Sequence, residues 1–184
     1  MDFFQYLAVS FSIVLSFAVV RILGGISDVF TRSRVYWVHA AWVIHSLLIL
    51  AFSWWRIWSY HDVTWNILAF LSVLTATSLL YYQSAILVPA HAASILSWQE
   101  HFFTIRRQFF GATIAWVILV TLNTSLFQGV PILHPTRISV LGTLVISIVG
   151  ISTNSHRIHS FLVVLMLSLW PLRAYLVFDA PSGN

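Results

Sequence analysis

"YWVHAAWVIHSLLILAFSWWRIW", Tyr36 to Trp58, is the stretch on which the reading of this chain turns. No formal charge falls between Tyr36 and Trp55. A helix rises 1.5 Å per residue, so about 20 such residues cover the roughly 30 Å of a bilayer's hydrocarbon core. Trp37 marks one end of the run, and Trp54, Trp55 and Trp58 mark the other, with Trp65 close behind. Tryptophan at both ends is what a membrane helix shows where it meets the headgroups. Two histidines, His39 and His45, interrupt the apolar run and raise the question of a site.

The rest of the chain has the same character. Its 184 residues are 59% hydrophobic and 8% charged, with a mean hydropathy of +0.89. A soluble domain carries roughly a quarter charged residues, so there is too little polar surface here for a water-facing globule. Lipid is the solvent that remains, and one compact domain over 1–184 is the natural organisation. Cysteine is absent, which excludes disulfides and thiolate chemistry. All nine cations are arginines, which excludes a Schiff-base lysine. The net charge of +4 is scattered at segment ends and forms no basic patch, so nucleic acid is not a partner.

Six stretches qualify as spans: 3–23, 35–55, 63–88, 109–127, 138–154 and 158–178. In lipid the backbone must satisfy its own hydrogen bonds, so these are helices. The strand alternation of a barrel is not seen. The expected fold is therefore an all-α integral membrane bundle of about six transmembrane helices. The start lacks the basic region of a secretory signal, and we read it as a retained span. "GGISDVFTRSR", "RIWSYHDVTW", "QGVPILHPTR" and "STNSHR" read as breaks. The connection over 90–108 is different. Ile95, Trp98, Phe102, Ile105 and Phe109 recur at steps of three and four, an amphipathic stripe. It either lies in the headgroup plane or extends the fourth span.

Arginine asymmetry suggests an orientation. Arg21, Arg32, Arg34, Arg106, Arg107 and Arg157 lie on one side, and Arg56, Arg137 and Arg173 on the other. The first group is expected inside, with both termini outside.

Few residues could carry chemistry. His45 sits near mid-membrane, where an ionisable group is a functional candidate or a neutral imidazole held by a neighbour. His39 lies about 120° away around the same helix, so the two are not a ligand pair. His39 shares the inner level with His101, His156 and His159. His39 with His159 could hold a haem between helices, and His156 with His159, at i and i+3, could face one metal ion. Solvated interfacial histidines are the plainer reading. Arg21 and Arg173 snorkel to headgroups, or else pair with an anionic substrate. Together with His45 they are the candidates for a transport or relay path. No carboxylate sits in mid-membrane, and no catalytic motif occurs. The serines and threonines of spans one, three and five suit close helix packing.

The strings "SFAVVRILGGISDVF", "RVYWVHAAWVIHSLLILAFSWWRIWSYHDVTWNILAFLSVL", "LLYYQSAILVP" and "WQEHFFTIRRQFFGATIAW" resemble a widespread group of uncharacterised bacterial multi-pass membrane proteins. The pattern is carried by Tyr36, Trp37, His39, Trp54, Trp55, Trp58, Asp62, Pro89, Arg106, Arg107, Phe109 and Phe110 over about two-thirds of the chain. The resemblance implies a bacterial inner-membrane home and no particular activity. The expected partners are the lipid bilayer and either a second copy or another membrane protein. Three functions stay open: an interaction or accessory subunit, a small oligomeric transporter or channel with a polar path near His45, and a haem-binding redox protein.

Overall fold

The computed structural model describes residues 3–31, 35–134 and 137–178. Six helices follow one another: α1 (Phe3–Val29), α2 (Trp37–Arg56), α3 (Ile67–Leu87), α4 (Trp98–Gln128), α5 (Ile138–Ser152) and α6 (His156–Phe178). Single 3-10 turns, Ile57–Tyr60 and Ala92–Ser94, follow α2 and precede α4. No strand occurs among the described residues. The protein is an all-α helical bundle, and four of its helices, α1 to α4, are long and apolar enough to cross a membrane. The apolar α5 has 15 residues, about 22 Å, and α6 has 23.

Cross-chain bonds fix two ends. At one end the Tyr36 hydroxyl lies 2.9 Å from His156 Nδ1, and Trp98 Nε1 donates to the Asp28 carbonyl at 3.0 Å. Arg106 Nε donates to the Thr153 carbonyl there at 3.1 Å. At the opposite end Gln128 Nε2 donates to Ser59 Oγ at 3.2 Å, and the Phe4 and His61 rings meet at 5.2 Å. Successive helices therefore run in alternating directions. α3 packs between α1 and α4, α4 on α5, α5 on α6, and α6 and α1 each touch α2. We call the two ends the Tyr36 end and the Arg56 end.

Two boundaries differ from the sequence reading. The Gly24–Gly25 pair does not break α1, which continues to Val29. A Cβ on Gly25 would fall 2.4 Å from Val88 Cγ1 and 3.1 Å from Ala92 Cβ. Glycine here admits the end of α3, and that packing outweighs its helix cost of about 1 kcal/mol. The connection over 90–108 splits at Ser97, whose hydroxyl accepts the Glu100 N–H at 3.3 Å and caps α4. From Trp98 onward the stripe is part of one 31-residue helix, about 46 Å long. Trp98, Phe102, Ile105 and Phe109 are all buried, so the stripe faces the bundle core. Of the extension alternatives, this is the continuous fourth helix. Gly129, at φ 68°, ends it in the left-handed conformation that glycine adopts freely.

The core is uneven along its length. Trp42, Trp98, Phe102, Phe109, Phe110 and His39 are among the largest fully buried side chains, and all lie toward the Tyr36 end. Trp42 meets Phe109 at 5.4 Å and Phe110 at 5.2 Å, both edge to face. Toward the Arg56 end the bundle opens into cavities.

Candidate functional site

The three arginines of the Arg56 end converge. Arg56 is the last residue of α2, Arg137 occupies the position before α5, and Arg173 follows Pro171 inside α6. All three line one cavity of about 140 Å³, walled by Ile49, Phe52 and Trp116 and by the threonines 121, 124 and 143. A cavity of about that size takes a guest as large as benzene. Arg137 and Arg173 are each only 8% exposed. Arg137 donates to Thr124 Oγ1 at 2.7 Å, to Ser125 Oγ at 3.0 Å and to the Val130 carbonyl at 3.3 Å. Arg173 donates to Thr143 Oγ1 and, at 3.3 Å, to the Ser139 carbonyl.

Every one of those acceptors is neutral. Among the described residues no aspartate or glutamate lines the cavity. Asp179, six residues beyond Arg173, lies outside the described residues. Arg137 Nε is buried with no hydrogen-bond partner. Burial first, and then the neighbouring Arg56 charge, push Arg137 below the usual arginine range. Guanidinium is a planar fork of donors that matches carboxylate and phosphate oxygens. An uncompensated buried charge is costly, so this cavity is short of an anion.

The cavity leads toward His45. Arg173 Cζ stands 5.5 Å from the Trp170 ring centroid. Trp170 Nε1 donates to His45 Nδ1 at 3.1 Å, which leaves the imidazole proton on Nε2. His45 lines a second, smaller cavity of about 20 Å³ with Ser46, Gln83, Thr113 and Thr143, and Thr143 faces both cavities. Gln83 Nε2 and Trp42 Nε1, at this inner cavity, are buried donors without partners. The aromatic packing of Trp42 and Phe109 closes its floor.

Of the residues chosen from sequence, His45 and Arg173 thus line neighbouring cavities that share Ile49, Trp116 and Thr143 as walls. Arg21 does not: it lines a separate groove on α1 with Gly24, Asp28 and Tyr81. The two histidines of the haem reading, His39 and His159, are packed among aromatic rings. His39 stacks on Trp98 at 4.8 Å, His159 stacks on Phe110 at 5.8 Å, and both are fully buried. Phe102 packs on both, 6.2 Å from His39 and 5.0 Å from His159. Of the pair in the metal reading, His156 Nδ1 pairs with the Tyr36 hydroxyl and His159 Nε2 donates to the Thr153 carbonyl at 3.1 Å, while His159 Nδ1 is buried without a partner. Among the described residues no group of three or more potential metal ligands forms. Sequence reading missed Arg56 and Arg137 as site residues. Their shared side in the topology was the available signal.

Comparison with protein-family models, with curated proteins and with solved structures found no match to this chain. The site's geometry therefore carries the functional argument.

Proposed function

We propose that this is a six-span protein of the bacterial cytoplasmic membrane that takes an oxyanion into the Arg56–Arg137–Arg173 cavity, as the receiving half of a small transporter. The observation that carries the reading is three arginines on one cavity with no carboxylate among its described lining residues. The neighbouring cavity at His45, walled by the same Thr143, and the dense aromatic packing beyond it suit a vestibule open toward the Arg56 end and shut toward the Tyr36 end. The arginine bias supports an orientation with the Arg56 end, and both termini, on the outer face. The resemblance to bacterial multi-pass proteins supports the inner-membrane home.

The test uses purified protein in nanodiscs of neutral phosphatidylcholine. Phosphate, sulfate and acetate are titrated while intrinsic tryptophan emission and thermal unfolding are followed. Trp116 and Trp170 border the arginines, so binding should quench emission saturably and raise the melting temperature. Arg137→Gln and Arg173→Gln should each weaken binding at least tenfold. In proteoliposomes His45→Leu should abolish flux of the bound anion while leaving its binding. Wild-type protein indifferent to all three anions would refute the proposal.

A further inference from the structure

Arg56 belongs to two cavities at once. Besides the arginine cavity it lines a second of about 70 Å³, and Phe52, Trp116 and Val120 are common to both. The second limb has a different chemistry. Its walls include Ile57, Val73, Ala76 and Leu80, and Arg56 is its one charged group among the described lining residues. From Val73 to Leu80 it follows α3 for seven residue rises, about 10 Å. Its walls are mainly apolar, with Ser53, Tyr60, Thr77 and Asn123 as the neutral polar residues among the described lining. One of these has an unused donor. Asn123, 1% exposed, accepts from Ser72 Oγ through Oδ1 at 2.5 Å, and its Nδ2 is buried without a partner. A lone donor beside an apolar slot suits the oxygen of an ester.

We infer that the ligand is an amphiphile, with an oxyanion head among Arg56, Arg137 and Arg173 and an apolar chain lying along α3 between Ile57 and Leu80. The inference rests on the anion-binding reading and narrows it. The limb has about half the volume of the benzene-sized arginine cavity, so it takes the head-proximal part of a chain, on the order of two to four carbons. The head and chain would diverge at Arg56, the residue common to both limbs. Two sources carry this chemistry: an anionic membrane lipid and a soluble alkyl or acyl acid.

The experiment titrates inorganic phosphate, methyl phosphate, butyl phosphate and octyl phosphate into the nanodisc-held protein, with octanol as the neutral control. Affinity should rise severalfold from methyl to butyl phosphate and level off at octyl phosphate, and octanol should not compete. Ala76→Phe fills the apolar limb and should flatten that gradient while keeping inorganic phosphate affinity within twofold. Val73→Phe is the second variant, needed if the first does not fold. A flat gradient in the wild type, with phosphate still bound, overturns the amphiphile and leaves the anion site standing. No binding of any phosphate overturns both. A gradient unchanged by either filling variant reports partition into the disc and also overturns the amphiphile. Lipid extraction then separates the sources. An anionic lipid recovered near one per protein from wild type and lost from Arg137→Gln marks the lipid. Octyl phosphate binding to lipid-free wild type marks the soluble acid.

Discussion

Gly150→Ala tests the dense half of the bundle. A Cβ at Gly150 would stand 2.6, 2.7 and 2.8 Å from three carbons of the Phe110 ring. Carbon atoms rest at about 3.5–4.0 Å, so the ring or α5 must retreat by close to 1 Å. Phe110 has nowhere to go: it is 0% exposed, stacked on His159 and held edge-on by Trp42 and Phe109. Overpacking of a filled core costs about 1–3 kcal/mol. Replacing a mid-helix glycine returns about 0.5–1 kcal/mol, which leaves a net loss of about 0–2.5 kcal/mol, centred on about 1 kcal/mol. Equilibrium unfolding in mixed detergent reads this directly. Gly111→Ala is the internal control, because nothing lies within 4 Å of its would-be Cβ, and it should be neutral or stabilising. Adding Phe110→Leu to Gly150→Ala should recover part of the loss, since residues in contact couple by about 0.5–3 kcal/mol. If Gly150→Ala is no different from Gly111→Ala, the tight fit of Phe110 into α5 is wrong.

Arg137→Met should raise the stability of anion-free protein by about 1–2 kcal/mol, because it removes one of two unneutralised buried charges, Arg137 and Arg173. The same variant should lose all stabilisation by phosphate, and thermal unfolding with and without phosphate checks both effects. Trp170→Phe keeps the ring beside Arg173 but deletes the donor to His45, at a cost of about 1 kcal/mol. Nitrogen-15 spectra should then show His45 no longer held in one tautomer; an unchanged spectrum would mean the Trp170 contact does not set it. A periplasmic reporter fused after Asn184 should be active, and activity confined to a cytoplasmic reporter would invert the orientation.

Much of the fold was legible because long apolar runs must satisfy their own backbone hydrogen bonds, and a helix forms at each of the six. What could not be read was what each feature faced. Gly24–Gly25 looks like a break until Val88 is seen against Gly25. The Trp98–Phe109 stripe has the periodicity of a surface helix, and only the tertiary arrangement turns it to the core. His45 was visible as a polar residue at mid-span, but its partner Trp170 is 125 residues away. The arginines illustrate the difficulty most sharply. At the ends of three separate helices each is an ordinary topology signal, and sequence alone gives no distance between them.

That placement has a consequence for how the protein is made. An arginine at the centre of an inserting helix costs about 2.5–3.5 kcal/mol, and one near its end costs far less. Arg56 closes α2, Arg137 precedes α5, and Arg173 lies in the last turns of α6. Each segment can therefore enter the bilayer singly with its cation at headgroup level. The electrostatic burden is deferred until the inserted helices dock side by side. On the proposed anion-binding reading, biogenesis divides into an insertion step indifferent to the anion and an assembly step that the anion assists. Phosphate supplied during refolding from detergent should speed the second step alone.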